Sequence, residues 1–126
     1  MNALLVRAYR STRYEAVGCP VFVGRRSPGM DALLRRHRVR TGVFVTAWNP
    51  MSRRMPAEWN ERMQRALLER LRRIPVLPAG GAWRGWREEH LLVLADRSVV
   101  RCVARSFRQA AVVVVRIGRK SRLDLV

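Results

Sequence analysis

The sequence is poor in cysteine, and the two cysteines it has suggest neither a bridge nor a metal site. Cys19 and Cys102 lie far apart among 126 residues, and there is no Cys-x-x-Cys pair. With His37 and His90 they do not have the spacing of zinc ligands. These absences argue against a disulfide-stapled scaffold and a zinc ribbon. We expect two buried free thiols, no bound metal and no cofactor.

Long apolar runs are also missing. No segment approaches the roughly 20 consecutive apolar residues that a membrane helix needs. Residues 1–6 do not combine a charged start with a long apolar stretch, as a secretory signal would. We therefore expect a cytoplasmic protein without a membrane span. The length and the hydrophobic content of 48% suit one domain, residues 1–126, with a core of ordinary size.

Acidic residues and lysine are scarce, whereas arginine is abundant. Nine Asp and Glu stand against 26 Lys and Arg, of which only Lys120 is a lysine, so the formal net charge is +17. A GC-rich genome would explain arginine in place of lysine, but not nearly three basic residues per acidic one. The excess favours a basic surface that contacts nucleic acid or another polyanion. The candidate contacts fall in three groups along the chain: Arg10, Arg13, Arg35, Arg36, Arg38, Arg72 and Arg73.

Familiar catalytic motifs are absent. The sequence has no Gly-x-Ser-x-Gly, no Walker loop, no Gly-x-Gly-x-x-Gly and no His-Glu-x-x-His. Ser52 has no candidate base beside it in the sequence. Whether the protein is an enzyme therefore stays open at this level.

Apolar runs alternate with amphipathic stretches. Gly42 to Trp48 is typical of a buried strand, and Asn49-Pro50 ends it in a polar turn because proline removes a ladder donor. Ser27 and Asp96 are the expected N-caps of two helices. The predicted helices begin at residues 28, 56 and 97, and further strands are predicted at 21–24, 91–94, 110–115 and 123–126.

Two segments are harder to assign. Residues 3–14 interleave tyrosine with arginine, which predicts an N-terminal strand or an extended arm. Residues 75–81 contain two prolines and Gly80-Gly81, and we interpret them as a loop. Trp83 and Trp86, just beyond it, are expected to cap the core or to line a ligand slot. His90, beside two acids, is expected to be solvated. The element order predicts an α+β domain, with α/β as the alternative, built from a mixed sheet of about 4–6 strands and three helices.

Several short motifs resemble a known family. The stretch Thr46-Ala47-Trp48-Asn49-Pro50-x-Ser52 is similar to one in the uncharacterised bacterial domain of unknown function family numbered 3293. Tyr9-x-x-Thr12-x-Tyr14 resembles the opening motif of that family, and Asn60 resembles its helical Asn. The resemblance implies an uncharacterised bacterial protein and carries no established activity.

Two later motifs extend the resemblance. Trp86-x-Glu88-Glu89 is similar to the Trp-x-Glu motif of the family. Phe107-x-Gln109-x-Ala111 is similar to its Phe-Gly-Gln-x-Ala ending, with Arg108 in place of the glycine. The polar residues that these motifs single out are Thr12, Thr46, Asn49, Ser52, Asn60, Glu88 and Gln109.

The polar residues in these motifs allow two interpretations. Strand and helix ends converge on a crevice in open α/β sheets, so the residues could line a pocket for a small polar molecule, centred on Asn49, Glu88 and Gln109. Glu88 would then be the one candidate general base. The other reading is that these groups tie local turns, as Asn before Pro commonly does. A third function class, an interaction module using the edge at residues 123–126, also stays open, as does the oligomeric state.

Overall fold

The computed structural model describes residues 2–126, which form four α-helices, seven strands and one short 3₁₀ helix. The helices are α1 (Ala3–Ser11), α2 (Pro28–Arg36), α3 (Ala57–Arg70) and α4 (Arg97–Ser106). The strands are β1 (Arg13–Ala16), β2 (Cys19–Val21), β3 (Thr41–Val45), β4 (Val76–Trp83), β5 (Trp86–Val93), β6 (Ala111–Arg116) and β7 (Arg122–Leu125), and the 3₁₀ helix is Pro50–Ser52.

All seven strands join one sheet in the order β2-β1-β4-β5-β3-β6-β7. The α+β class is confirmed, but the predicted counts of 4–6 strands and three helices were too low. The prediction of a mixed sheet was wrong, because all six strand pairings are antiparallel. The helical crossovers do connect parallel strands, β3 to β4 and β5 to β6. In each case one antiparallel strand lies between the connected pair.

Each face of the sheet has its own core, because successive side chains of a strand point to opposite faces. Helices α3 and α4 pack on one face, where Leu67 and Val100 meet strand residues such as Val43 and Val93. Helix α2 packs on the other face and buries Leu34 among residues of β1, β3, β5 and β6. The sheet thus lies between two helical layers. On the face where α2 packs, that helix covers only part of the sheet.

The two edges of the sheet meet beyond α2. After β2, Gly24 N donates to Ser121 O, and Ser121 N donates to Arg25 O, each at 2.9 Å. The buried Ser121 hydroxyl also donates to Phe22 O at 2.6 Å. Because Ser121 directly precedes the opposite edge strand, β7, these bonds curl the sheet around α2.

The N-terminal segment is not the strand or extended arm that was predicted. Residues Ala3–Ser11 form α1, whose N-cap Asn2 accepts from Leu5 N at 2.8 Å. Alanine, leucine and arginine favour helix, and the alternation of tyrosine with arginine obscured this preference. Only Arg13–Ala16 is extended.

The predicted loop at residues 75–81 was also wrong. Most of it belongs to the long hairpin of β4 and β5, in which Pro78 pairs with Leu91. Strand β1 pairs with β4 only from Ala79 onwards. Pro78 therefore lies where one side of β4 has no partner strand, which is where a strand tolerates proline.

Of the remaining predictions about caps and cysteines, some are confirmed and others are wrong. The Ser27 hydroxyl caps α2 by accepting from Met30 N, as predicted, whereas Asp96 makes no side-chain cap to α4. Both cysteines are free thiols, but Cys102 is exposed and Cys19 half-buried, so their predicted burial was wrong. Among the residues that the structure describes, no helix is long and apolar enough to cross a bilayer.

Candidate ligand-binding site

A cavity of about 240 Å³ lies on the α2 face of the sheet, beside the part that α2 covers. Its lining comes from α1, from strands β1 and β3–β6, and from the turn after β3. Helix α1 contributes Leu5, Ala8 and Tyr9, and its C-cap Thr12 continues their helical spacing along one side. No residue of α1 is fully buried, so the helix lies over the cavity without entering the core.

Strand alternation brings the polar residues into this cavity. In β5, Trp86, Glu88 and His90 share a face with the core residue Leu92. In β3, Phe44 leads on the same face to Thr46 and then Trp48. The predicted candidates that line the cavity are Thr12, Thr46, Asn49, Ser52, Glu88 and Gln109. The remaining one, Asn60, lies in α3 and supports the site from outside.

Asn49 connects the turn to the cavity. Its Oδ1 accepts from Met55 N at 2.9 Å and from Asn60 Nδ2 at 3.0 Å, while Asn60 Oδ1 accepts from Asn49 N at 3.0 Å. Its Nδ2 donates to Glu88 Oε2. Asn49 and Asn60 therefore tie the turn, and Asn49 also positions the carboxylate.

The two carboxylate oxygens of Glu88 differ, because one accepts hydrogen bonds from neighbouring side chains and the other accepts none from the described residues. Oε2 accepts from Asn49 Nδ2 and from Trp86 Nε1, the latter at 3.1 Å. Oε1 accepts no hydrogen bond within residues 2–126. Two donors on one oxygen fix the rotamer of the half-buried carboxylate and leave the other oxygen available to a ligand.

Gln109 is fixed in a similar way. Its Nε2 donates to Trp48 O at 3.1 Å and to Phe107 O at 3.3 Å, whereas its Oε1 receives no donor from the described part of the chain. The indole nitrogen of Trp48 is buried and has no hydrogen-bond partner. Because a buried unsatisfied donor costs about 1–3 kcal/mol, a group that accepts from it would be favoured there.

The hydroxyl of Thr46 holds the end of β3. It donates to Glu89 O at 2.5 Å and accepts from Trp48 N at 3.0 Å. Gln64 of α3, which sequence reasoning did not single out, accepts from Ala47 N at 2.9 Å. Thr46 is thus saturated by backbone groups, and its role is to set the path of the chain into the turn.

His90 was expected to be solvated, and that prediction was wrong. The ring is buried, stacks edge-on against Tyr14 at 5.5 Å, and lies 3.3 Å from the Glu88 carbonyl through Nδ1. A carbonyl only accepts, so the contact selects the tautomer protonated at Nδ1 and leaves Nε2 as an acceptor. Burial lowers the pKa of His90, against an opposing effect of Glu88, and the ring is neutral near pH 7.

Two tyrosines complete the polar lining. Burial raises the pKa of Tyr9, the Ser52 side chain lowers it, and the nearby Glu88 raises it. Burial likewise raises the pKa of Tyr14. Both phenols therefore stay protonated, and the Tyr9 hydroxyl is a donor at neutral pH. Helical spacing at residues 5, 8, 9 and 12 is the signal that could have placed Tyr9 here.

The turn that carries Asn49 has an unusual backbone. Asn49, Met51 and Ser52 all have positive φ, at 47°, 51° and 62°. Such conformations are disfavoured for residues with a side chain and cluster at functional sites. Met51 N donates to Arg108 O at 2.7 Å, which ties this turn to the segment carrying Gln109.

The arginines predicted to contact a polyanion lie elsewhere. All seven are exposed, and none lines the cavity. They occupy separate places: Arg10 in α1, Arg13 in β1, Arg35, Arg36 and Arg38 at the end of α2, and Arg72 and Arg73 after α3. The structure thus separates the polar site from these surface charges.

Fold and site together define an α+β domain with a small, partly aromatic cavity against one antiparallel sheet. The chain belongs to a family described as proteins of unknown function (DUF3293), whose model matches residues 45–112, more than half of the chain. That segment includes Asn49, Glu88 and Gln109, whereas α1 with Tyr9 precedes it. No curated protein and no solved structure gives a significant match.

Proposed function

We propose that this protein binds a small polar molecule in the cavity. The observation that carries the proposal is the convergence of polar atoms that have no partner among residues 2–126. Each belongs to a residue that lines the cavity, and several of these residues are held in place by other bonds. These atoms are Trp48 Nε1, Glu88 Oε1, Gln109 Oε1 and His90 Nε2.

The cavity also limits the ligand. A volume of about 240 Å³ suits a small metabolite. Tyr9, Trp83 and Trp86 supply flat apolar surface. A fitting molecule has an acceptor for the Trp48 donor, a donor for Glu88, and a ring or apolar body between them.

The test is a thermal-shift screen of nucleotides, amino acids and sugar phosphates at low and at physiological salt. A ligand near 100 times its Kd should raise the Tm on the order of 10 °C. Glu88→Gln should abolish the shift. Glu89→Gln is the matched control, because Glu89 neighbours Glu88 but is exposed and does not line the cavity. A shift equal in both variants, or none from any compound, would contradict the proposal.

An enzyme using the same pocket is the alternative, and it has one specific support. Glu88 and the neutral His90 line one cavity, so a carboxylate base and an imidazole could act on one ligand. Mass spectrometry of the ligand recovered after incubation separates the two functions. Unchanged ligand supports binding alone, whereas a product that depends on Glu88 supports catalysis.

We also propose that the basic surface contacts nucleic acid or another polyanion. Its support is the net charge of +17 and the exposure of all seven predicted arginines. Binding that ignores sequence and weakens steeply with salt is the expected result. A cytoplasmic location is part of this proposal, supported by two free thiols rather than a disulfide.

A further inference from the structure

A second concave region, far larger than the cavity, lies on the α4 side of the sheet. It measures about 790 Å³ and is bounded by the start of α4 and by the β6–β7 turn. Among the described residues, six basic side chains line it, against one lining carboxylate, Asp96. They are Arg26, Arg97, Arg116, Arg119, Lys120 and Arg122, and we call this region the basic groove. None of the six belongs to the arginines singled out from sequence.

The walls of the basic groove are held in place. Asp124, nearly buried, accepts from Arg97 Nη1 at 2.8 Å and from Arg122 Nε at 2.6 Å. It thereby links the start of α4 to β7. The turn between β6 and β7 is anchored where Gly118 N donates to the buried Asp31 carboxylate at 3.1 Å. The groove is therefore built on fixed backbone, unlike arginines scattered over a helix surface.

Four of the basic groups remain without a partner. Arg26, Arg116, Arg119 and Lys120 are exposed and form no ion pair within residues 2–126. Like charges that line one groove repel one another, and an anion placed among them would relieve the repulsion. Guanidinium groups pair with phosphate through two parallel hydrogen bonds.

We infer that the basic groove binds the phosphate backbone of duplex nucleic acid. The inference takes its ligand class from the polyanion contact proposed above, but it places that contact on different residues. In the described part of the chain, no aromatic side chain lines the groove. Single strands are held mainly by stacking on aromatic rings, whereas backbone contacts without base readout suit a duplex.

The test measures binding of a fluorescein-labelled 20-base-pair DNA duplex by anisotropy across a range of NaCl concentrations. The groove variant is Arg116→Ala with Arg119→Ala. The matched control is Arg62→Ala with Arg65→Ala, which removes the same charge from exposed positions on α3 that belong neither to the groove nor to the seven predicted arginines. The groove variant should bind about 10- to 100-fold more weakly at 0.1 M NaCl, and its slope of log K against log salt should be smaller by about two. The control should keep the wild-type slope.

Each other result overturns the inference. Equal losses in the two variants would mean that net charge alone binds DNA, which leaves the polyanion proposal standing without the groove. Tighter binding of a 20-nucleotide single strand than of the duplex would reject the duplex. No binding by the wild-type chain at 50 mM NaCl would remove both the groove and the polyanion proposal.

Discussion

The side-chain nitrogen of Asn49 donates to Oε2 of Glu88 at 2.5 Å, although 39 residues separate the two in the chain. The same side chain accepts from Met55 N and from Asn60 Nδ2. A residue that closes a turn therefore also orients Glu88, the only carboxylate within residues 2–126 that lines the cavity. Asn49 thus ties the turn and also lines the cavity, two placements that the sequence left as alternatives.

Asn49→Ala should lower the free energy of unfolding by about 2–4 kcal/mol, because it leaves Met55 N without its acceptor, removes one of the two acceptors of Asn60 Nδ2 and places alanine at positive φ. Glu88→Ala should cost about 1 kcal/mol or less, because the carboxylate is only half-buried. Urea denaturation of both variants measures the difference. A loss from Glu88→Ala as large as that from Asn49→Ala would make Glu88 a structural anchor instead.

Stability should rise with pH through the range in which unfolded histidine titrates. Burial lowers the pKa of His90 in the folded chain, so below about pH 6.5 the unfolded state binds the proton that the folded state resists. The contribution of His90 to the free energy of unfolding is complete above that range and decreases as the pH falls towards the pKa of the folded chain. The free energy of unfolding then changes by at most about 1.4 kcal/mol per pH unit. Urea denaturation between pH 5 and pH 8 gives the slope.

Variants at the two histidines provide the control for this pH dependence. His90→Gln should flatten the slope, whereas His37→Gln, at an exposed site after α2, should leave it in place. The pKa of Asp124 is lowered because hydrogen bonds from Arg122 and Arg97 outweigh the effect of burial. Its contribution is lost only at lower pH, below about 4. A slope unchanged in His90→Gln would show that His90 does not resist protonation.

The parts of the fold that follow from local pattern could be predicted. Ser27 and Pro28 define the start of α2, and the valine run before Arg116 defines β6, because caps and apolar runs act within a few residues. The strand order could not be predicted, since the pairing of Tyr14 with Gly81 depends on how all the elements pack. Gly80-Gly81 was predicted to be a loop for the same reason, because its strand pairing depends on packing and not on local sequence.

The residues of the candidate site could be predicted from the sequence, but their arrangement in space could not. Motif resemblance brought Asn49, Glu88 and Gln109 together, and the structure places all three at one cavity. The burial of His90 follows from the α1 cover and the strand pairing, which no local pattern encodes. The free Trp48 nitrogen has the same origin, because an unsatisfied donor is visible only once its neighbours are known.

Gly81→Ala should destabilise the chain by about 1–2 kcal/mol, since overpacking forces neighbours to move. A Cβ there would lie 3.0 Å from His90 Cε1 and 3.3 Å from Thr12 Cγ2, both in side chains that line the cavity. Gly80→Ala is the control, because its Cβ would meet only the movable ends of Arg87 and Glu15. Thermal unfolding of both variants measures the effect. Equal losses would show that strand flexibility, and not the fit against His90, explains the glycine.

Arg108→Gly should raise the free energy of unfolding by about 0.5–1 kcal/mol, because Arg108 has φ 55° at the end of α4, where glycine is free of strain. Arg108 N donates to Arg105 O, and Gln109 N donates to Ala104 O, so the motif also places Gln109 at the cavity. Arg105→Gly, within α4, should instead lower stability by a similar amount. Urea denaturation separates the two. A loss from Arg108→Gly would mean that the arginine side chain stabilises this turn by more than its backbone strain costs.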